Sequence, residues 1–487
     1  MSVQKLIEKG VLIDPEVIKK YTEKQIIEVS EFFEEKIDVI DEELLKNYLQ
    51  NKNQNKIKIL KNYTKKPEKK KYQDFVDVFN LRFEKISQML LSRTEMGTVT
   101  SISRILKKNK GERVSTIAMV LEKNITKNNN VILIVEDPTQ VITIIVKEDD
   151  KELHQIAKDL QLDEIIGING VFLGDAIFAN QIIFPDIPIS NELKKGPKDE
   201  YVIFMGDQHF GSNVFLKKEY QKFTDWINGK IGTQEHKEIA RKVKYIVMTG
   251  DLIEGAGIYP NQDKDLEIID VKEQYELTAK LLREIPSHIQ MITTTGNHDV
   301  GRIAEPQPPI PKEYAKSLHE IPNLKIVSNP AWINIGSTPN FPGFDILLYH
   351  GGSLIYYSEN IPSVREAGGQ KRVDLILEFY LKRRHLAPTH GSTLIIPDPK
   401  EDALIVDKIP DFLATGHIHR ISVSNYKNVT ALNTSAWTET TEDQIKRGLE
   451  PQPGRIVLVN LKTRKVKIMN FLSKKQKEKE KEIQDDK

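Results

Sequence analysis

The chain has 487 residues, of which 39% are hydrophobic and 29% charged, and its 71 basic side chains stand against 70 acidic ones. This length suits two to four domains, and no apolar run approaches the roughly 20 residues that a membrane span requires. The absence of cysteine excludes disulfides and thiolate metal sites, so a metal would need His, Asp, Asn or water as ligands. The near-zero net charge predicts that binding to nucleic acid needs a local basic patch or a partner.

The N-terminal region, residues 1–50, is predicted to be a small helical docking module, because apolar residues recur with helical spacing in EKQIIEVSEFFEEKI. It carries acidic residues and no apolar signal core, so we expect a cytoplasmic protein with no membrane association. Residues 51–71 are rich in Lys and Asn and are predicted to form a flexible linker. The basic run Lys69-Lys70-Lys71 could contact phosphates, although a solvated linker is the favoured interpretation.

Residues 72–190 are predicted to form a helix followed by a small Greek-key barrel of the OB type. Short apolar or alternating runs, such as RVSTIAMVLEK and NNVILIVED, are separated by turn residues, and the helical run DKELHQIAKDL precedes the last strands. OB folds often bind single strands through aromatic side chains, and this segment offers few of them on its strands, Phe172 and Phe178. Structural, subunit-contact and DNA-binding roles therefore all stay open.

From residue 200 to 471, apolar strand-like runs alternate with helical stretches, which predicts an α/β layered domain. Five of these runs end in polar residues able to bind metal or transfer a proton. In chain order these are Asp207, His209, Asp251, Asn297, His298, His350, His417 and His419. Ligands of α/β folds gather beyond the carboxyl ends of strands, so these side chains are predicted to converge on one cleft. The last residues, 472–487, are predicted to be a disordered, charged tail.

The residue types suit a site for two divalent ions. Such a site needs oxygen and imidazole ligands, one group that bridges both ions, and open positions for water and a phosphate oxygen. Carboxylates, imidazoles and a carboxamide are all present, and the spacing of His417 and His419 on an extended segment points both imidazoles the same way. Each motif alone is a common turn, but all five in this order indicate a metal site.

The motifs GDxH, GDxxxG, GNHD, HGG and GHxH in this order resemble those of the calcineurin-like metallophosphoesterases, a superfamily of phosphatases and nucleases. Protein Ser/Thr phosphatases carry GDxxDRG and GNHE, whereas this chain has GDLIEG and GNHD, which favours nucleotides or DNA as the substrate. With its helical module and OB-like barrel, the chain is more narrowly similar to the small subunits of archaeal family D DNA polymerases, especially over residues 382–420.

The resemblance implies a multidomain fold in which an α/β metallophosphoesterase domain, a two-sheet α/β sandwich, follows the OB-fold barrel and the N-terminal helical module. It assigns one ion to Asp207, His209, Asp251 and His419, and the other to Asp251, Asn297, His350 and His417. Asp251 would bridge the two ions. The expected ions are Mn²⁺ first, with Mg²⁺, Fe or Zn as alternatives.

Two further residues are expected to have catalytic roles. By resemblance, His298 protonates the leaving oxygen or bonds a phosphoryl oxygen in the transition state. Glu254 lies three residues after Asp251, where phosphatases place an Asp that orients the catalytic His. We therefore expect Glu254 to contact His298 and keep it protonated, with an exposed loop glutamate as the alternative.

The implied function is that of the small subunit of a replicative DNA polymerase heterodimer. It would carry a two-metal 3′–5′ exonuclease for proofreading, acting on single-stranded or mismatched DNA 3′ ends. The expected partners are the large catalytic subunit and DNA, with the sliding clamp as a further candidate. A non-catalytic scaffold subunit and a stand-alone phosphodiesterase are the alternatives.

Overall fold

The structure, a computed structural model, describes residues 3–8, 10–32, 39–46, 57–65, 68–446, 448–473 and 476–478. Most of the tail that is predicted to be disordered lies outside these residues, and so does the smaller part of the predicted linker. Within the described ranges, no helix combines the length and the apolar character needed to cross a membrane.

The N-terminal region contains short helices and one pair of short strands. The helices are α1 (Val3–Glu8), α2 (Pro15–Lys20) and α3 (Glu23–Phe32), with a further helical turn at 42–46. Strands β1 (Leu12–Ile13) and β2 (Val39–Ile40) pair in parallel, which the sequence analysis did not predict. Helix α2 begins with Pro15 in its first turn, and Asp14 accepts a hydrogen bond from Glu16 N at 2.8 Å.

The segment predicted to be a flexible linker differs from that prediction in its described part. Strand β3 (Lys58–Asn62) pairs antiparallel with the strand Ala331–Ile335. Hydrogen bonds from Ser328 N to Asn62 Oδ1 at 2.8 Å and from Tyr63 N to Ser328 Oγ at 2.9 Å extend this pairing. The polar sequence KILKN gives little sign of a strand, because a distant partner rather than its own apolar pattern orders it.

Helix α4 (Tyr72–Leu91) leads into a closed barrel of five strands. The barrel strands are β4 (Arg113–Ile125), β5 (Val131–Glu136), β6 (Val141–Val146), β7 (Ile165–Phe172) and β8 (Ala176–Ile183). Helix α5 (Ile102–Ile105) precedes β4, and helix α6 (Lys151–Asp159) lies between β6 and β7. The order is β4-β5-β6-β8-β7, with β6 and β8 parallel and the other pairs antiparallel. A five-stranded barrel with this helix position agrees with the OB-type prediction.

The rest of the chain builds two six-stranded mixed sheets. The first sheet consists of β9 (Tyr201–Met205), β10 (Val243–Met248), β11 (Gln290–Thr293), β12 (Leu324–Ile326), β18 (Arg455–Asn460) and β19 (Val466–Asn470). The second sheet consists of β13 (Ala331–Ile335), β14 (Phe344–Leu348), β15 (Phe412–Thr415), β16 (Ser422–Tyr426), β17 (Val429–Asn433) and the edge strand β3. The orders are β12-β11-β10-β9-β18-β19 and β16-β17-β15-β14-β13-β3.

The two sheets pack face to face, and helices cover their outer faces. Along β9, Val202 and Phe204 belong to the core between the sheets, whereas Ile203 and Met205 belong to the core under the helices. Because successive side chains point to opposite faces, β9 is buried on both of its faces. The helices are α7 (Lys217–Ile227), α8 (Gln234–Arg241), α9 (Val271–Leu282), α10 (Lys316–His319), α11 (Leu354–Asn360), α12 (Pro362–Glu366), α13 (Val373–Arg383) and α14 (Glu442–Lys446).

Buried ion pairs attach α4 and the barrel to the two-sheet domain. Arg82 of α4 lies 2.7 Å from Asp402, and both side chains are almost fully buried. Arg383 of α13 lies 3.0 Å from Glu164, in the turn that leads into β7. Backbone groups add to this contact, since Ser363 N donates to Asp159 Oδ1 at 3.0 Å. The barrel is therefore held in a fixed position relative to the two sheets.

Candidate metal centre

Loops at the carboxyl ends of strands from both sheets bring the candidate ligands together. The first sheet contributes Asp207 and His209 after β9, Asp251 after β10 and Asn297 after β11. The second sheet contributes His350 after β14, and His417 and His419 after β15. The structure thus gathers all seven predicted ligands in one place, and it buries Asp207, Asp251 and His350 almost completely.

Sharp turns follow these strands, and the backbone shows them. Left-handed φ values occur at Asp207 (50°), His209 (51°), Asp251 (51°), His417 (71°) and His419 (56°). Non-glycine residues with this geometry cost on the order of 1–3 kcal/mol each and cluster at functional sites. Close approach also requires glycine at Gly296, where an added Cβ would lie 2.0 Å from Asp251 Oδ1. The chain therefore accepts backbone strain in order to aim these side chains at one point.

Asp207, His209 and His419 form a first group of possible ligands. His419 Nε2 lies 3.6 Å from Asp207 Oδ1 and 3.1 Å from His209 Nε2. The Asp207 carboxylate is held in place by a hydrogen bond from His417 N at 2.9 Å. Burial raises the pKa of Asp207 to about 7, even though His350 and His209 oppose it. A carboxylate in this position keeps its charge more easily when a cation is bound beside it.

Asp251, His350 and His417 form a second group. Asp251 Oδ2 lies 3.3 Å from His350 Nε2 and 3.9 Å from His209 Nε2, so one oxygen sits between the two groups. Asn297 Oδ1 lies 2.9 Å from His350 Nε2 and extends the second group. The predicted bridging role of Asp251 requires this position.

Electrostatics in the second group are dominated by Asp251. Burial raises the pKa of the Asp251 carboxyl, but His350, His298 and His209 outweigh it and hold this pKa well below its usual range. Burial lowers the pKa of His350, and the adjacent Asp251 carboxylate reverses the shift and raises it to about 10. By contrast, burial and the charge of His350 lower the pKa of His417 to about 3. The Asp251 carboxylate therefore stays negatively charged among the surrounding imidazoles.

His298 lies beside both groups, and Glu254 contacts it differently from the prediction. The backbone carbonyl oxygen of Glu254 lies 2.7 Å from His298 Nδ1. The Glu254 carboxylate lies closer to His209, at 3.0 Å from Nδ1, than to His298 Nδ1, at 3.8 Å. Burial lowers the pKa of His298, although the charges of Asp251 and Glu254 oppose this shift. Glu254 is therefore better placed to orient His209.

Several polar residues that the sequence analysis missed hold these loops. Asp299 Oδ2 accepts hydrogen bonds from Gly296 N at 2.9 Å and from Leu252 N at 3.4 Å, which joins two ligand-bearing loops. Asn329 Oδ1 accepts from His350 N at 2.8 Å. Asp299 is the last residue of the GNHD motif, which was a usable signal. Asn329 follows no motif, so only the structure reveals it.

The donor set fits divalent metal ions. Each group offers at least one carboxylate oxygen and two imidazole nitrogens within 4.8 Å of one another. Thr249 O lies 2.8 Å from His350 Nδ1 and can accept a hydrogen bond from it. This leaves Nε2 unprotonated and directed toward the other candidate ligands, as is usual for metal-binding histidines. Oxygen and imidazole ligands suit Mn, Fe, Zn or Mg. His298 also falls in a group with His209 and Asp251, so a ligand role is its alternative.

Comparison with known proteins identifies similar chains. A family model that describes the B subunits of DNA polymerases alpha and epsilon matches residues 202–422, which include all seven candidate ligands. The chain is 36% identical over 403 residues to the DNA polymerase II small subunit of Archaeoglobus fulgidus, covering 82% of this chain and 78% of that protein. For the Methanothermobacter thermautotrophicus protein of that name, the identity is 36% over 387 residues, with coverages of 80% and 77%.

The similarity reaches across nearly the whole chain in another relative. The DNA polymerase II small subunit of Thermoplasma acidophilum is 32% identical over 482 residues, which covers 96% of this chain and 92% of that protein. Among solved structures, asparaginyl-tRNA synthetase from Pyrococcus horikoshii complexed with asparaginyl-adenylate matches at 14% identity. That match covers 17% of this chain and 21% of the synthetase with a TM-score of 0.16, so it carries no argument.

Proposed function

Because the chain belongs to the small-subunit family of archaeal DNA polymerase II, the family D polymerase, we propose that it carries a two-metal 3′–5′ exonuclease. The substrate would be a single-stranded or mismatched DNA 3′ end, and the role would be proofreading in a heterodimer with the large catalytic subunit. The observation that carries this proposal is the Asp251 carboxylate, whose Oδ2 lies 3.3 Å from His350 Nε2 and 3.9 Å from His209 Nε2. A two-metal phosphoesterase needs such a shared ligand.

In this proposal the chain has a metallophosphoesterase architecture from residue 200 to 471. The N-terminal module (1–50) and the barrel region (72–190) would serve contacts with the large subunit, with DNA or with the sliding clamp. The intact ligand set favours activity over a purely structural role. Scaffolding is compatible with it, since one subunit can both hold its partner and trim DNA.

The ligands would divide between two ions that share Asp251. Asp207, His209 and His419 would hold one ion, and His350, His417 and Asn297 would hold the other. When bound, the ions supply an activated water and stabilise charge on the phosphoryl oxygens. The buried carboxylates and imidazoles fix this geometry in advance, so little reorganisation accompanies the reaction.

His298 would act on the leaving 3′ oxygen. Its Nδ1 lies 2.7 Å from the Glu254 carbonyl oxygen, which leaves Nε2 as the nitrogen that meets the substrate. Burial lowers the pKa of His298, which favours the neutral imidazole before substrate binds. A phosphodiester anion beside it favours the protonated form, which gives Nε2 the proton that it would transfer.

The test is a cleavage assay with the purified chain, alone and with its large subunit, on 3′-mismatched single-stranded DNA and Mn²⁺. We expect stepwise loss of nucleotides from the 3′ end. His298→Ala should lower the rate by about 10²–10⁴-fold, the usual size of a general-acid contribution. Asp207→Ala should abolish cleavage, because it removes a proposed metal ligand. Equal degradation by all three proteins would identify a contaminant, and an inactive but stable heterodimer would support the scaffold alternative.

A further inference from the structure

A basic cleft, which takes no part in the mechanism above, is lined in part by Arg302 and Pro306 of the loop that follows the candidate ligand Asn297. Its volume is about 420 Å³. One wall is the segment that precedes α4, one is the loop that ends at Glu401, and one is the loop that carries Arg302 and Pro306. The cleft thus includes the Lys69-Lys70-Lys71 run, which the sequence analysis singled out without a function.

The basic side chains of the cleft outnumber its acidic ones. The basic side chains that line it are Lys65, Lys69, Lys70, Lys71, Lys400 and Arg302, and the acidic ones are Glu68, Asp74, Asp398 and Glu401. Lys65 and Asp398 pair with each other. Asp74 is engaged by Lys71 N, which donates to its carboxylate at 2.7 Å. Within the part of the chain that the structure describes, the five other basic side chains form no ion pair.

The cleft is continuous with the loop that carries Asn297 and His298. Arg302 donates to Pro306 O from Nε at 3.0 Å and from Nη2 at 2.5 Å, so its guanidinium is fixed at the cleft wall. Gln307 Nε2 donates to Arg302 O at 3.1 Å and to Gly296 O at 3.2 Å. A single carboxamide therefore connects the wall of the cleft to the residue that precedes Asn297.

We propose that this cleft binds the phosphate backbone of a DNA single strand at the candidate metal centre. The inference deepens the proposed function, on which it rests, by naming the path of its substrate. Lysines and an arginine around a groove are the usual means of following a strand without reading its sequence. The exposed apolar side chains of Ile303 and Leu394 lie on the adjoining loops, where they offer contact surface to unpaired bases.

The test measures binding without hydrolysis. A fluorescent single strand of about 20 nucleotides is titrated with the full-length chain in EDTA, and anisotropy is followed at several salt concentrations. The triple variant Lys69→Ala/Lys70→Ala/Lys71→Ala should weaken binding at least about tenfold and reduce the log–log salt slope by about 2, since each contact with a single strand contributes about 0.7. A matched variant, Lys230→Ala/Lys237→Ala/Lys280→Ala, removes one lysine from the turn after α7 and one each from α8 and α9, and it should keep both values.

Three results would overturn the proposal. One is an unchanged affinity and salt slope in the cleft variant. Another is equal weakening in the matched variant, and the third is loss of the large subunit on gel filtration while DNA binding persists, which would make the cleft a protein-docking site. Superimposable circular dichroism melting curves exclude misfolding as the cause. DNA binding in EDTA does not require cleavage. The assay therefore distinguishes a chain without nuclease activity from a cleft that does not bind DNA.

Discussion

The Nε2 atoms of His209 and His419 face each other at 3.1 Å. Burial lowers the pKa of the His209 imidazole, but Glu254 outweighs it and raises this pKa to about 9. Burial and the charge of His209 hold the pKa of His419 well below its usual range. Only one of the two rings therefore carries a proton between them. A divalent cation bound between them would replace this proton by accepting lone pairs from both rings.

Metal binding is therefore expected to stabilise the folded chain. After removal of metal with EDTA, Mn²⁺ should raise the melting temperature, by the equivalent of about 2.7 kcal/mol when free ion reaches 100 times its Kd. His419→Ala should lose most of this shift, because it removes a ligand from the first group. His390→Ala, an exposed histidine outside the groups, should retain it. Equal shifts in both variants would show that Mn²⁺ binds elsewhere.

Glu254 is expected to act through His209. Its carboxylate lies 3.0 Å from His209 Nδ1, and partners of this kind orient the imidazole and strengthen it as a ligand. Glu254→Gln should therefore lower Mn²⁺ affinity by about 10–100-fold, measured by calorimetric titration. Glu219→Gln, which changes a buried glutamate of α7 in the outer helical layer, is the matched control. An unchanged affinity in Glu254→Gln would remove the role.

The buried Arg82–Asp402 pair makes a prediction about stability. Arg82→Leu leaves the Asp402 carboxylate buried without its cation, which typically costs about 3–5 kcal/mol. The expected result is a lower urea midpoint. Arg372→Leu breaks a pair with Asp374 in which both side chains are partly exposed, so it should cost less than about 1 kcal/mol. Similar midpoints for the two variants would contradict the assignment.

His385 is expected to make stability depend on pH between about 4 and 6.5. Burial, helped by the charge of Arg82, lowers the pKa of His385 to about 4. The geometry agrees, since Nδ1 accepts from Ala387 N at 2.9 Å and Nε2 lies 3.1 Å from Asp402 Oδ2. As the pH falls through this window, the unfolded chain takes up a proton that the folded chain refuses, so the free energy of unfolding decreases.

The magnitude of this effect is up to about 3 kcal/mol, from a shift of roughly 2.5 pKa units at 1.36 kcal/mol each. Urea titrations at several pH values should show a flatter profile for His385→Gln than for the unsubstituted chain. His236→Gln, which changes a partly exposed histidine of α8, is the control and should preserve the profile. Parallel profiles for the chain and His385→Gln would refute the prediction.

The sequence predicted the candidate site better than it predicted its supports. Most of the ligands follow an apolar strand and lie beside a glycine, so a local pattern marks Asp207, Asp251 and His350. The hydrogen bond from His350 N to Asn329 Oδ1 joins residues with no shared motif. The predicted contact between Glu254 and His298 is present through the Glu254 carbonyl oxygen, but the closer approach of the Glu254 carboxylate to His209 was not predicted, because only packing decides between two neighbouring imidazoles.

For the fold, too, local patterns were predictable from the sequence and contacts between distant segments were not. The barrel and the two-sheet domain have strands with clear apolar periods, which the sequence alone reveals. Strand β3 does not, because Lys58 and Lys61 make it look like a solvated linker, and its hydrogen bonds go to β13, far along the chain. Left-handed φ values at residues such as His417 were equally hidden, since they result from the packing of whole sheets rather than from residue type.

Strand β3 has a practical consequence for anyone who shortens the chain. It covers β13, whose free backbone groups would otherwise lie at the open edge of a sheet, and it places lysines at the new edge. A fragment that starts at α4 would lose this cover, and neighbouring copies could then pair through β13 and aggregate. Soluble truncations should therefore begin upstream of Lys58.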